Sequence, residues 1–302
     1  VVQAPICPLM SQPRPDCELA DEALFGMVVE VLEQTTSGYW KVRTHYRYEG
    51  YAPVTCLAIG DEAAQAWASL PKKVVLHKNT CDVMCHPKVQ SWPLTTLPMG
   101  AVVAVTEAPE VNPETGEPNG WQCVSLPDGA KGYVRASWLD TYYETPIDLP
   151  ERELRRRLVD TAMLYARTHY RWGGKTPLGI DCSGLVSISY LLNGITIYRD
   201  AKVVEGFPIH PIDCKNAKPA DLLFFPGHVA MYMGDNRYIH STGKAGDDGV
   251  TFNSLSPKDA IFRADLLEKH NIATPKTFDE LLEAMKQLKE IYPDSKPWTG
   301  RK

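Results

Sequence analysis

The sequence predicts an α+β protein in which two small β-barrels precede a domain of helices followed by an antiparallel sheet. Three observations lead there. The first half carries a weak internal repeat of short alternating strands. The chain from Glu151 reads as an amphipathic helix, and from Cys182 as a second, more apolar one. The stretch from His228 to Ser241 reads as strand, turn and strand.

A chain of 302 residues has room for two or three domains. The expected boundaries are 1–70 and 71–145 for the barrels, 146–270 for the helix-and-sheet domain and 271–302 for a helical tail. Charge is mildly acidic, with 32 Lys and Arg against 37 Asp and Glu. That argues against a nucleic-acid or anionic-membrane partner. No apolar run reaches about 18 residues, so no span of a bilayer is expected. The chain begins Val1-Val2-Gln3, with neither a methionine nor a signal peptide, as a processed or trimmed product would. Its eight cysteines leave the redox compartment open. Cys7 and Cys17 could pair in a secreted protein, whereas Cys182 should stay free. Cys81-Asp82-Val83-Met84-Cys85 lacks the second cysteine pair of a zinc site, so no metal and no cofactor are expected. A monomer is expected.

The first copy of the repeat runs Phe25-Gly26-Met27-Val28-Val29-Glu30-Val31, then Tyr39-Trp40-Lys41-Val42-Arg43, then Gly50-Tyr51-Ala52-Pro53. The second runs Met99-Gly100-Ala101-Val102-Val103-Ala104-Val105, then Gly120-Trp121-Gln122-Cys123-Val124, then Gly132-Tyr133-Val134-Arg135. Short alternating strands separated by turn residues indicate small barrels. Trp40, Tyr51, Trp121, Tyr133 and Trp138 are expected in their cores.

Thr145-Pro146-Ile147-Asp148-Leu149-Pro150 reads as a linker. From Glu151 to Thr168 an amphipathic helix is predicted, with Leu154, Leu158, Ala162 and Tyr165 facing inward. Gly173-Gly174 and Pro177-Leu178-Gly179 then form an irregular approach to Asp181-Cys182-Ser183-Gly184. The apolar residues Leu185, Val186, Ile188 and Leu192 mark a helix starting at Cys182, and Gly194 is its natural stop. A thiol attacks as the thiolate, and a helix N-terminus lowers its pKa. Cysteine is also among the most buried residue types, so Cys182 alone would be read as core.

Its partners change that reading. A cysteine nucleophile needs a base, usually histidine, and the base needs an orienting group. His228, Ala230 and Tyr232 share one face of a predicted strand, Gly234-Asp235-Asn236 is a turn signal, and Tyr238-Ile239-His240 is the return strand. A hairpin therefore brings His228 and His240 together, so that one can take the Cys182 proton while the other holds it.

Tyr170-Arg171-Trp172-Gly173-Gly174, Asp181 to Val186, Pro219 to Phe225, Gly227 to Gly234 and Tyr238 to Ser241 follow one another in a pattern that resembles the NlpC-type cysteine peptidases. These are papain-like enzymes that cut peptidoglycan stem peptides. The resemblance implies Cys182 as nucleophile, His228 as general base, His240 as the orienting residue and Tyr170 as an oxyanion donor. It places Asp181, Ser183 and Trp172 beside the substrate. Tyr198-Arg199-Asp200-Ala201 resembles an element of the branch that acts on stem peptides with a free N-terminal L-Ala, with Asp200 expected on the ammonium group and Ala201 next to it. The two barrels resemble bacterial SH3-like domains. In that branch the first barrel closes one end of the cleft and donates an acidic residue and a tyrosine. Glu18 and Tyr51 are nominated, with Asp16 a rival to Glu18. The implied activity is hydrolysis of a γ-D-glutamyl–diamino acid bond by a secreted or envelope-associated protein, a cytoplasmic recycling role also being open. An amidase or acyl-transfer reaction with the same Cys-His-His set, or a non-catalytic wall-binding role, remain alternatives.

The C-terminus departs from the pattern. After Ser254-Leu255-Ser256-Pro257 and Arg263-Ala264-Asp265-Leu266, where a closing strand is expected, the chain continues. Thr277 is a plausible N-cap with Glu280 at the capping-box position, followed by Leu281, Met285, Leu288 and Ile291 at helical spacing. From about Ala264 this tail looks more like a piece of an extracellular solute-binding protein.

Overall fold

The computed structural model describes residues 1–255, 270–273 and 278–291. Five antiparallel strands open the chain: β1 (Ile6–Met10), β2 (Leu19–Leu24), β3 (Val29–Gln34), β4 (Tyr39–Thr44) and β5 (Glu49–Pro53). They form a sheet in the order β2-β1-β5-β4-β3. Helix α1 (Asp61–Ser69) follows and has no counterpart in the sequence reading. Its buried Trp67 donates its indole N–H to the Gly26 carbonyl at 2.8 Å. The next sheet has seven strands: β6 (Lys72–Val75), β7 (Thr80–Met84), β8 (Pro93–Pro98), β9 (Val102–Ala104), β10 (Trp121–Ser125), β11 (Lys131–Arg135) and β12 (Leu139–Thr141).

The repeat survives as register. Val42 faces Gly50 across β4 and β5, and Val124 faces Gly132 across β10 and β11. A Cβ at Gly50 would lie 2.9 Å from Leu9 Cβ of β1, and one at Gly132 would lie 2.4 Å from Val83 Cγ1 of β7. In both units the glycine lets the hairpin close onto the neighbouring strand, β1 in the first and β7 in the second. The aromatic residues differ from expectation. Trp121 is buried, but Trp40, Tyr51, Tyr133 and Trp138 are half-buried. The interiors are aliphatic instead: Leu9, Leu24 and Val42 in the first unit, Val75, Val83, Leu97 and Val134 in the second. A narrow barrel is filled by branched side chains, and the rings cover its rim.

The second half holds α2 (Glu151–Met163), the short pair β13 (Lys175–Thr176) and β14 (Gly179–Ile180), α3 (Cys182–Leu191), and an antiparallel sheet. That sheet is β15 (Leu222–Phe225), β16 (His228–Gly234), β17 (Arg237–Thr242) and β18 (Gly249–Ser254), in sequence order. Helix α3 is buried from Cys182 to Tyr190 and packs on α2, β16 and β17. Its core is continuous with that of the first sheet: Leu9 and Leu24 belong to the same apolar cluster as Leu185, Ile188, Val229 and Ile239.

Helix α2 ends at Met163, short of the expected Thr168. The amides of Tyr165, Ala166 and Thr168 bond only three residues back, and Arg167 takes φ 68°. The main chain is drawn off the helix by β18, where Arg167 N donates to the Val250 carbonyl and Val250 N to that of Thr168. A last helix, α4 (Phe278–Ile291), falls inside the expected tail. The segment Arg263-Ala264-Asp265-Leu266, soon after which a closing strand is expected, and the Thr277 cap lie outside the described residues. Among the described residues no helix is long and apolar enough to cross a membrane.

Candidate active site

Asp181 caps α3. Its Oδ1 accepts from the Gly184 amide at 2.5 Å, and its Oδ2 from the Gly173 amide at 2.8 Å. One carboxylate thus fixes both the helix start and the glycine-rich approach. Gly184 has to be glycine here: a Cβ would lie 2.1 Å from the Gly174 carbonyl oxygen.

Asp181 is in turn held by a residue whose contacts the sequence does not reveal. Arg199 is fully buried and donates through Nη1 and Nη2 to the two Asp181 oxygens, both at 3.1 Å. Nη1 also reaches Ser183 Oγ at 2.8 Å, and Nε reaches Asp21 Oδ1 of β2 at 2.6 Å. Lys175, equally buried, donates to Asp21 and to the Tyr46 hydroxyl, the latter at 2.8 Å. Burial opposes ionisation of Asp21, but Lys175 and Arg199 outweigh it and hold the carboxyl below its usual range. Burial draws the Lys175 ammonium down to about 8. Glu22 extends the set, accepting from Arg171 Nη2 at 2.7 Å and from the Lys175 amide at 3.0 Å. The first sheet is therefore tied by paired buried charges to the residues around Cys182.

Cys182 is 8% exposed at the first position of α3. The thiol is not depressed as the helix N-terminus alone would suggest. Burial pushes it above the ordinary value, and the Asp181 charge adds to the rise; the amides of Val229 and Ser183 beside the sulfur oppose it. Desolvation of a thiolate outweighs the helix terminus here. The Val229 amide beside the sulfur belongs to β16, the strand that begins with His228.

Strands β16 and β17 join through Asp235 and Asn236, both at positive φ, the two-residue geometry that matches strand twist. Register pairs Tyr232 with Tyr238, and His228 and His240 share that face. His228 Nε2 lies 2.8 Å from His240 Nδ1, with the rings edge-to-face. His228 thus keeps Nδ1 for another partner. Burial lowers the pKa of His228, the Asp181 charge opposing. Burial, with the His228 and Lys244 charges, brings His240 down to about 4. Both rings are neutral near pH 7. On the far side of His240, its Nε2 is 3.0 Å from Asn253 Nδ2 of β18. Asn253 was not singled out from the sequence; one asparagine near the end of a short strand carries no signal.

Tyr170 is half-buried, bridges Ile180 in parallel and lays its ring against Gly243. Trp172 is 60% exposed beside it. Ser183 is buried on Arg199. Asp200, one residue past Arg199, and Ala201 are half-buried. The first barrel does present a tyrosine to Asp200, namely Tyr48 of the β4–β5 turn, whose hydroxyl donates to Asp200 Oδ1 at 3.0 Å. Tyr51 instead sits in β5, paired with Lys41 and Met10. Glu18 is exposed, its carbonyl accepting from the Ser11 amide, and Asp16 is exposed and ion-paired with Arg14. Neither acid bonds Asp200. Arg47, next to Tyr48, donates to the Gly206 carbonyl and stacks 3.8 Å over the Phe207 ring. The same turn therefore also braces the loop after Asp200. Cys17 donates to the carbonyls of Gln12 and Arg14, whereas Cys7 meets Cys56; all eight cysteines are free thiols.

Residues 167–261 match the NlpC/P60 family, and residues 9–57 match the bacterial dipeptidyl-peptidase SH3 domain. The chain is 40% identical over 266 residues to dipeptidyl-peptidase 6 of Lysinibacillus sphaericus, covering 88% of this chain and 95% of that one. It is 28% identical to a γ-D-glutamyl-L-lysine dipeptidyl-peptidase of Bacillus cereus, over 74% of this chain and 67% of the relative. The fold matches the crystal structure of an NlpC/P60 family protein from Bacillus cereus, with a TM-score of 0.68 at 23% identity over 84% of this chain and 93% of that one. By its likeness to a relative that it covers almost end to end, and by its own family match, the chain is a cysteine peptidase belonging to the NlpC/P60 family.

Proposed function

We propose that the protein hydrolyses the γ-D-glutamyl–diamino acid bond of peptidoglycan stem peptides that carry a free N-terminal L-Ala. The observation that carries the chemistry is the 2.8 Å contact of His228 with His240, set against Cys182 at the capped head of α3. Because thiol and imidazole are both neutral at rest, His228 Nδ1 takes the Cys182 proton as the sulfur attacks the γ-carbonyl carbon. The oxyanion that forms is met by the Cys182 amide, one of the first-turn N–H groups a helix leaves unpaired, and by the Tyr170 hydroxyl. Imidazolium His228 then gives its proton to the leaving amine and the C–N bond breaks. Water, deprotonated by the same ring, hydrolyses the thioester. Ser183 and Asp181 hold the head of α3, and Trp172 walls the cleft.

A dipeptidyl-peptidase counts two residues from a free amine, so it needs a closed end. Asp200, oriented by Tyr48, is a carboxylate suited to an ammonium group. Braced against the first barrel, it supports that end of the cleft. Residues 1–70, 71–145 and 146–270 are proposed as two barrels and a catalytic domain, acting at the cell envelope or after secretion. The test is mass spectrometry of products from the free tripeptide L-Ala-γ-D-Glu-diaminopimelate, its N-acetyl form and intact sacculi. Release of L-Ala-γ-D-Glu from the free tripeptide, lost in Cys182→Ala, is expected. Cleavage between muramic acid and L-Ala would overturn the bond assignment, and equal rates on the acetylated peptide would overturn the amine pocket.

A further inference from the structure

We propose that Asn253 is a positioning residue of this site: its side-chain amide, seated on Nε2 of His240, selects the tautomer of His240 and through it the proton pattern of His228. The inference rests on the assignment of Cys182, His228 and His240 given above.

Three strands build the relay. Tyr238 is paired with Asn253 and His240 with Thr251 across β17 and β18, so Asn253 stands diagonal to His240 on the face that also carries His228. The outcome is one row: His228, His240, Asn253, with heteroatom contacts of 2.8 and 3.0 Å. Tyr238 faces Asn253 across the strand pair and packs edge-on against His240, so the amide lies beside both rings.

His240 is buried and neutral at working pH, so it carries one N–H and must place it on one of two nitrogens. If Asn253 donates to Nε2, His240 donates from Nδ1 to His228 Nε2. His228 then holds its proton on Nδ1, the nitrogen left for the thiol, and cannot act as base. A half-turn of the amide presents Oδ1 in place of Nδ2. His240 now donates from Nε2 to Asn253, its Nδ1 accepts from His228 Nε2–H, and His228 Nδ1 is free to take the Cys182 proton. The second pattern also serves the imidazolium, which needs an acceptor at Nε2. An amide, carrying both a donor and an acceptor, is able to meet Nε2 in either state. The other ionisable groups near this row are Cys182 and Asp181 at the head of α3, Tyr238 on β17 and Lys244 beyond it.

Two variants separate this from a structural role. Asn253→Leu removes the acceptor: kcat should fall at least ~10-fold with KM little changed, and the acid limb of the kcat/KM profile should move to lower pH. Asn253→Asp offers an acceptor only: it should keep most of kcat and move the acid limb to higher pH, because a carboxylate stabilises the imidazolium. Histidine 15N shifts in a Cys182→Ala background report the tautomers without activity, and Asn253→Leu should raise the share of His228 protonated on Nδ1. If Asn253→Leu matches wild type in kcat, pH profile and 15N shifts while Cys182→Ala is dead, this inference falls and the parent reading stands. Equal losses in both variants with unshifted limbs would likewise overturn it. Turnover by Cys182→Ala would instead overturn the parent reading.

Discussion

Arg199 binds Asp21 and Asp181 at once, its Nε 2.6 Å from Asp21 Oδ1 and its Nη atoms 3.1 Å from the two Asp181 oxygens. Asp21 belongs to the first sheet, Asp181 to the head of the helix that carries Cys182. Buried ions are tolerated only when paired and hydrogen-bonded, so each of these groups requires the others in place. The next residue, Asp200, is reached by Tyr48 of the same first sheet. One barrel therefore stabilises the cap of the Cys182 helix and orients the carboxylate proposed for the substrate amine. A tether to the wall would need neither contact.

The first prediction follows from that pairing. Asp21→Ala leaves Arg199 and Lys175 buried without their shared carboxylate. Removing one partner of such a set costs about 3–5 kcal/mol. Urea unfolding should show a loss of that order, and activity should drop at denaturant-free conditions where the chain is still folded. Wild-type stability in Asp21→Ala would show that the network contributes little.

The thiol makes a second test. Burial and Asp181 push Cys182 up, so the resting enzyme has no preformed thiolate. Iodoacetamide should modify Cys182 slowly at pH 6–7, followed by peptide mass spectrometry, with a rate that climbs through and above the ordinary thiol range of about 8.5. A fast, pH-independent rate between pH 5 and 7 would reveal an ion pair with His228 and contradict the neutral resting state.

How much of this was legible beforehand depended on the range of the contact. Cys182, its cap Asp181 and the His228–His240 hairpin are set by local pattern: an N-cap, an apolar helix, a two-residue turn. Asp21, Lys175 and Arg199 are ordinary surface residue types, and their joint burial is created by contacts that span more than 150 residues. Tyr48 was missed for a related reason. The Gly50-Tyr51 repeat points to Tyr51, but that residue pairs within the sheet of β5, while the turn before it carries the ring that reaches Asp200. The direction of the thiol's shift is not legible in the sequence, because a helix N-terminus is visible there and desolvation is not.

Acid should weaken the fold through His240. Its unfolded value is near 6.5 and its folded value about 4. A histidine kept neutral by burial binds more protons unfolded than folded between those values. Stability is therefore full above about pH 6.5 and declines as pH falls toward 4, by about 3 kcal/mol in all. His228, lowered in the same direction, adds to the slope. His240→Gln should flatten the pH dependence of the urea midpoint in this window. An unchanged slope in that variant would assign the effect to other groups.

The amine pocket can be examined through Tyr48 and Asp200 together. A hydrogen bond to a charged group contributes about 1.5–3 kcal/mol, so Asp200→Asn should reduce kcat/KM on the free tripeptide by roughly 10- to 100-fold. On the N-acetyl peptide, wild type and variant should be equally poor, since no ammonium is present to lose its partner. Tyr48→Phe removes only the bond that orients Asp200, at about 1 kcal/mol, and should act mainly on KM by about fivefold. Because the tyrosine works through the carboxylate, the double variant should lose little more than Asp200→Asn alone. Additive losses would mean that Tyr48 acts independently of Asp200. An Asp200→Asn enzyme that still prefers the free amine as strongly as wild type would place the amine elsewhere.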